Sequence, residues 1–144
     1  MVLDIKKNKL KIEKIAQNRN LKFAVVFGSA ASGLMRDSSD TDIAVLQKNH
    51  IPLDYRSFLD INSELTDALA LGFRKIDLVD LATANILLRY EATQNGILLY
   101  GDETDYQNYR TFAFKDYIDS QSLRDLESLI IRKRQSALAT QLNV

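Results

Sequence analysis

The sequence predicts a small α/β (α+β) domain: a mixed β-sheet of about four strands, covered by helices and followed by a long helical C-terminal segment. Three observations predict it. Short apolar runs alternate with segments of helical periodicity in the order helix, strand, helix, strand, helix, strand, helix, strand, helix. The 144 residues suit one hydrophobic core. No glycine or proline occurs from Asp105 to the C-terminus, so nothing there breaks a helix chemically.

Each element follows from local chemistry. Ile5, Ile12, Ile15 and Ala16 recur at helical spacing after Asp4, which predicts an amphipathic helix over about residues 4–18. Phe23 to Phe27 is a valine-rich apolar run that reads as a buried strand, and Gly28 ends it in a tight strand-to-helix turn. Asp40 to Leu46 reads as a second strand with two carboxylates at its start, broken by Asn49 to Pro52. Asp54 caps a helix with the stripe Phe58, Ile61, Leu65 and Ala68, and Gly72 stands at its left-handed terminator position. Lys75 to Val79 is a third strand. Thr83 to Thr93 is a short helix closed near Asn95–Gly96, and Ile97 to Tyr100 a short strand closed by Gly101. The remainder is helical to about Ala139, with a break near Ser120 to Ser122. Its aromatics, Tyr106, Tyr109, Phe112, Phe114 and Tyr117, exceed what one helix face buries; they either pack the sheet or form a partner surface.

Composition excludes several classes. With 46% hydrophobic and 26% charged residues the chain is neither disordered nor fibrous. The balance of 19 basic and 19 acidic side chains gives no general field for duplex nucleic acid or an anionic membrane, so a phosphate site must be local. Seven basic side chains in residues 1–22 read as a solvated helix face, and they interrupt any apolar run, so neither a signal peptide nor a membrane span is expected. The absence of cysteine rules out disulfides, thiolate metal sites and a thiol nucleophile, and fits a cytoplasmic location.

The chemistry concentrates between Val25 and Asp42. A strand ending in Gly28–Ser29 and turning into a helix offers free backbone N–H groups and a helix dipole to a phosphate, with the Ser29 hydroxyl as a further donor. Glycine lets the backbone come close. Known phosphate and metal loops do not match. Leu34 and Met35 occupy the positions of a P-loop's Lys and Ser/Thr, there is no GxGxxG, and an EF-hand starting at Asp37 fails at Asp42 and at Lys48. Asp40 and Asp42, two apart on a strand, leave the same face roughly 6–7 Å apart along the backbone. Such a pair repels itself unless divalent ions neutralise it, and its hard oxygens select Mg²⁺ or Mn²⁺. Asp77, flanked by Ile76 and Leu78, is the best third carboxylate; Asp80 leaves the opposite face and is the weaker choice.

The spacing Gly28–Ser29, ten residues, Asp40-x-Asp42, then a later strand aspartate, resembles the nucleotidyltransferase superfamily typified by DNA polymerase β. More narrowly, the chain resembles the minimal nucleotidyltransferase (MNT) antitoxins of HEPN/MNT toxin–antitoxin pairs, over about residues 20–101, with residues 104–140 as a helical extension of a single domain. The resemblance implies a polymerase-β-like fold, Asp40, Asp42 and Asp77 as catalytic ligands of two Mg²⁺ ions, and ATP as donor. Gly28, Ser29 and Ser39 would contact the nucleotide. Many members carry a basic residue before the glycine that matches Gly33; Ser32 stands there, and Arg36 is the candidate replacement. The implied reaction transfers AMP to a hydroxyl, such as a tyrosine's, on a cognate HEPN ribonuclease toxin and silences it. Alternatives are a non-catalytic binding antitoxin, or nucleotidyl transfer to a small molecule. The chain is not itself the HEPN partner: its lone histidine, His50, has Ile43, Ala44 and Val45 where R-x4-6-H needs arginine.

Overall fold

The computed structural model describes residues 6–28, 31, 40–69 and 75–142. In chain order the elements are α1 (Lys9–Asn18), β1 (Leu21–Phe27), β2 (Thr41–Gln47), a 3-10 turn (Lys48–His50), α2 (Tyr55–Ala68), β3 (Ile76–Asp80), α3 (Ile86–Gln94), β4 (Ile97–Gly101), α4 (Glu103–Asp119) and α5 (Gln121–Leu142).

The four strands lie in the order β3-β2-β1-β4. β1 pairs antiparallel with β2 and β4, whereas β2 and β3 are parallel, joined through α2. The sheet is therefore mixed and covered on both faces. Side-chain alternation sorts the strands cleanly. Ala24, Val26, Ile43, Val45, Ile76 and Leu78 point to the layer made by α1 and α2, where Ile12, Ala16, Ile61 and Leu65 complete the core. Phe23, Val25, Phe27, Ala44 and Leu46 point to the layer of α3 and α4, against Ala92, Tyr106, Tyr109 and Ala113. Double coverage is why β1 reads as a continuous apolar run rather than an alternating one.

Several boundaries differ from the sequence expectation. The first helix starts at Lys9 after a turn over residues 6–8, and the expected cap Asp4 lies outside the described residues. β1 begins at Leu21 and β2 runs from Thr41 to Gln47. Asp54 does cap α2, accepting from the Ser57 N–H at 2.7 Å, while Gly72 lies outside the described residues. The fourth helical segment begins at Ile86 rather than Thr83, because Asn85 is the better cap: its Oδ1 accepts from the Leu88 N–H at 2.8 Å. Thr83 and Ala84 instead close a turn on the Asp80 carbonyl. The long C-terminal helix breaks at Ser120, whose hydroxyl donates to the Tyr117 carbonyl at 3.1 Å.

The aromatics of α4 divide. Tyr106 and Tyr109 are buried and meet Phe23 edge-on, at 5.7 and 5.4 Å between ring centroids. Their hydroxyls donate to the Thr93 carbonyl at 2.6 Å and to the Leu81 carbonyl at 3.4 Å, which ties α4 to α3 and to the end of β3. Burial pushes both phenols above the usual 10.0, so they act as neutral donors. Phe112 and Phe114 remain about half exposed.

Candidate active site

The chemistry-bearing residues gather at one end of the sheet, where β1 finishes and β2 and β3 begin. β1 delivers Gly28 there, one residue beyond Phe27, which is the partner of Asp42 across the antiparallel pair. Asp42 lies beside Asp77 across the parallel pair. Both carboxylates share the sheet face that Phe27 and Ala44 occupy, at the margin of the cover provided by α3 and α4. Asp77 is exposed and Asp42 half-buried; Asp40, immediately before β2, is exposed.

Gly28 has φ +69°, a left-handed conformation, and a Cβ built there would sit 2.3 Å from Asp42 Oδ2. A side chain at this position would strain the backbone and also displace the carboxylate. Glycine thus holds Asp42 and the turn of the chain in close contact.

Asp42 is raised above its ordinary 3.8, first by desolvation, then by repulsion from Asp77 and from Asp40. Among the described residues the three carboxylates thus repel one another. Among the described residues no three acidic or histidine side chains are drawn into a closed metal cluster. A set of hard oxygen ligands at the end of two paired strands, with mutual repulsion to relieve, fits divalent cations of the Mg²⁺ class.

The raised pKa fixes the sign of a pH effect. A carboxyl raised in the folded state contributes stability that is fully present below 3.8 and is lost as pH rises through its folded value, so at neutral pH ionised Asp42 opposes folding. Asp42→Asn is expected to raise the melting temperature at pH 7 in chelator-treated buffer, with the advantage shrinking as pH falls towards 3.8. Calorimetry across pH checks this. Mg²⁺ should raise the melting temperature of the parent chain and leave that of the variant unmoved.

Asp80 has a different use. It is 8% exposed, and its two oxygens accept from the Leu53 and Ala82 N–H groups at 2.9 and 3.0 Å, closing the turns at the other end of β3. Ser29, Arg36 and Ser39 lie outside the described residues. Thr41, between the two aspartates, points to the opposite face. It is fully buried, and its hydroxyl has no hydrogen-bond partner among the described residues; only its unlike neighbours on an otherwise apolar face could have flagged it. A cavity of about 820 Å³ lined by Leu21, Lys22, Lys48 and Gly101 opens at the far end of the sheet, away from the aspartates.

A family-wide sequence profile described as "Polymerase beta, Nucleotidyltransferase" matches residues 10–105, more than half of the chain. The chain belongs to this nucleotidyltransferase family. No curated protein matches it significantly. Among solved structures, this nucleotidyltransferase is similar to a toxin–antitoxin crystallised with AMP-PNP, with TM-score 0.73 and 28% identity over 87% of this chain and 98% of that one. It is also similar to a chain of a toxin–antitoxin MntA-HpeT mutant in which two aspartates two positions apart are replaced by glutamate (TM-score 0.71, 25% identity, 86% of this chain and 98% of that one). A third is from a complex of a tri-AMPylated Shewanella oneidensis HEPN toxin with its MNT antitoxin (TM-score 0.68, 25% identity, 89% of this chain and 98% of that one). The nucleotidyltransferase fold accounts for the mixed sheet, with its parallel β2–β3 pair and a helical layer on each face. No helix of the described residues is long and apolar enough to cross a membrane.

Proposed function

We propose that this nucleotidyltransferase is an MNT-type antitoxin that transfers AMP from ATP to a hydroxyl, that of a tyrosine, on a cognate HEPN ribonuclease and so silences it. The observation that carries this reading is the junction of Gly28, Asp42 and Asp77, in which a glycine too close for any side chain abuts one of two register-paired carboxylates. The similar structures support the donor and the partner, since one was crystallised with AMP-PNP and another contains an AMPylated HEPN toxin.

In the proposed reaction the acceptor oxygen attacks the α-phosphorus of ATP. A new P–O bond forms to the acceptor, the α–β bridging P–O bond breaks, and pyrophosphate leaves with the electron pair. Asp40, Asp42 and Asp77 would hold two Mg²⁺ ions, which when bound stabilise charge on the attacking and leaving oxygens. Gly28 and Ser29 would seat the terminal phosphates, with Ser39 and Arg36 contributing further nucleotide contacts. Asp77, the most open of the register-paired carboxylates, would take the acceptor's proton; a tyrosine hydroxyl, with an ordinary pKa of ~10, needs that help at neutral pH.

Incubating the chain with a candidate HEPN partner, ATP and Mg²⁺, and weighing that protein by mass spectrometry, tests the reading. The expected result is a gain of one or more adenylates together with lost RNA cleavage. An unmodified yet inhibited partner would replace transfer by plain binding, and an unmodified, active one would overturn the reading altogether.

A further inference from the structure

α5 is a 22-residue helix, about 33 Å long, without one buried residue. Only Arg124 is even half-buried, where its guanidinium lies 3.9 Å above the ring of Tyr117, itself stacked on Tyr90 at 4.0 Å. Its first turns, at Leu123 and Glu127, border a cavity shared with Ile86 and Leu87, and none of its described residues beyond Arg124 is even half-buried. Most helical stability comes from packing an apolar face, and the leucines and isoleucines on this helix are costly to leave wet.

Part of the apolar set forms a stripe, with Leu129, Ile131, Leu138 and Leu142 outside it. At 100° per residue, Leu123, Leu126, Ile130 and Ala137 fall within a sector of about 60°, and the three larger ones are 58%, 52% and 43% exposed. Glu127 and Arg134 lie on the same flank of this stripe, one turn either side of Ile130 and Ile131. Neither takes part in an ion pair among the described residues.

The placement is self-complementary in one orientation. When two such helices run antiparallel with their stripes together, like flanks face each other. Glu127 of each copy then meets Arg134 of the other, giving two symmetric pairs. The same register sets Ile130 beside the twofold axis, with Leu123 next to Ala137 of the second copy. In a parallel pair opposite flanks would meet, and Arg134 would face Leu129 instead. An isologous contact of this kind closes on itself and leaves no open end.

We propose that α5 is a self-association surface, through which two copies of this chain pair antiparallel by the Leu123–Leu126–Ile130 stripe and reciprocal Glu127–Arg134 ion pairs. The proposal is independent of the reading of the catalytic end, and its test needs no nucleotide transfer.

Light scattering on the purified full chain at tens of micromolar should give twice 16.4 kDa. Ile130→Asp should return it to the single-chain mass. Glu127→Arg and Arg134→Glu should each weaken the dimer at least about tenfold, because each variant alone sets like charges against each other. Mixed together, the two variants should form a heterodimer of parental affinity, since both cross pairs are then restored. That rescue requires folded helices and so distinguishes a lost contact from a lost fold. A single-chain mass for the parent, a dimer indifferent to Ile130→Asp, or failure of the mixture to associate would each overturn the proposal. So would a parent that is monomeric but whose hold on the HEPN protein is lost in these variants, which would assign the stripe to that partner instead.

Discussion

Replacing Asp42 with alanine is expected to lower the rate of AMP transfer by roughly 10³-fold or more while leaving the fold intact. The size follows from charge. A bound divalent ion lowers the barrier of a phosphoryl-type transfer by several kcal/mol, and each 1.36 kcal/mol is a factor of ten. Asp42 is the residue at which this loss should be greatest, because it is central: Gly28 packs against one side of it and Asp77 is its partner across the strand pair. It also feels both other carboxylates. Its removal is not expected to unfold the chain, since Asp42 is half-buried at the sheet margin and its ionised form opposes folding at neutral pH. Single-turnover transfer of labelled AMP, with circular dichroism as the folding control, checks the prediction. A variant working at the parental rate would remove Asp42 from the reaction and the metal-assisted mechanism with it.

Gly28→Ala should be the second most damaging change at this site. The new methyl group arrives 2.3 Å from Asp42 Oδ2, and the backbone φ of +69° is one that a non-glycine residue adopts only with strain. The strain costs stability on the order of 1–3 kcal/mol. The steric conflict is relieved most cheaply by swinging the Asp42 carboxylate aside, because the backbone of Phe27 and Asp42 is held by the β1–β2 pairing. A displacement of about 1 Å at a reacting centre can cost about 10²-fold in rate. The expected signature is therefore a fall in turnover larger than the stability loss explains, measured as transfer rate and urea midpoint on the same preparation. If the midpoint falls and turnover does not, Gly28 serves only the turn.

The contrast between these two substitutions and Asp77 shows what kind of information each residue carries. Gly28 and the aspartate pair are legible in the sequence because their relation is local. A strand that stops at glycine and a carboxylate repeating at a period of two are both set by the geometry of a few consecutive residues. Asp77 was no more than a well-placed aspartate until the parallel register put it beside Asp42. The period of two already placed Asp80, three residues on, on the opposite face. Yet Asp80 spends both oxygens on the backbone N–H groups of Leu53 and Ala82, a commitment no spacing rule reveals.

The same division runs through the fold. The apolar strands, the Asp54 cap and the break at Ser120 follow from propensities and hydrogen-bond needs that act over three or four residues. The start of α3 was misplaced for a local reason too, since Asn85 competes with Thr83 as a cap and wins by its bond to the Leu88 N–H. The fate of the α4 aromatics was not local. Tyr106 and Tyr109 turn inward to Phe23, Phe112 and Phe114 stay half exposed, and the choice depends on which side of α4 meets the sheet.

By itself the sequence determined the order of the four strands along the chain, the glycine that ends β1 and the aspartates at the start of β2, because each is a property of neighbouring residues. Tertiary structure alone decided that Asp77 stands in register with Asp42, that the Asp80 oxygens are taken by the backbone of Leu53 and Ala82, and that the described residues of α5 are left without a buried side chain. Strand register and helix docking bring together residues distant along the chain, through many weak contacts summed over two faces of a sheet, and no short window of sequence contains that sum.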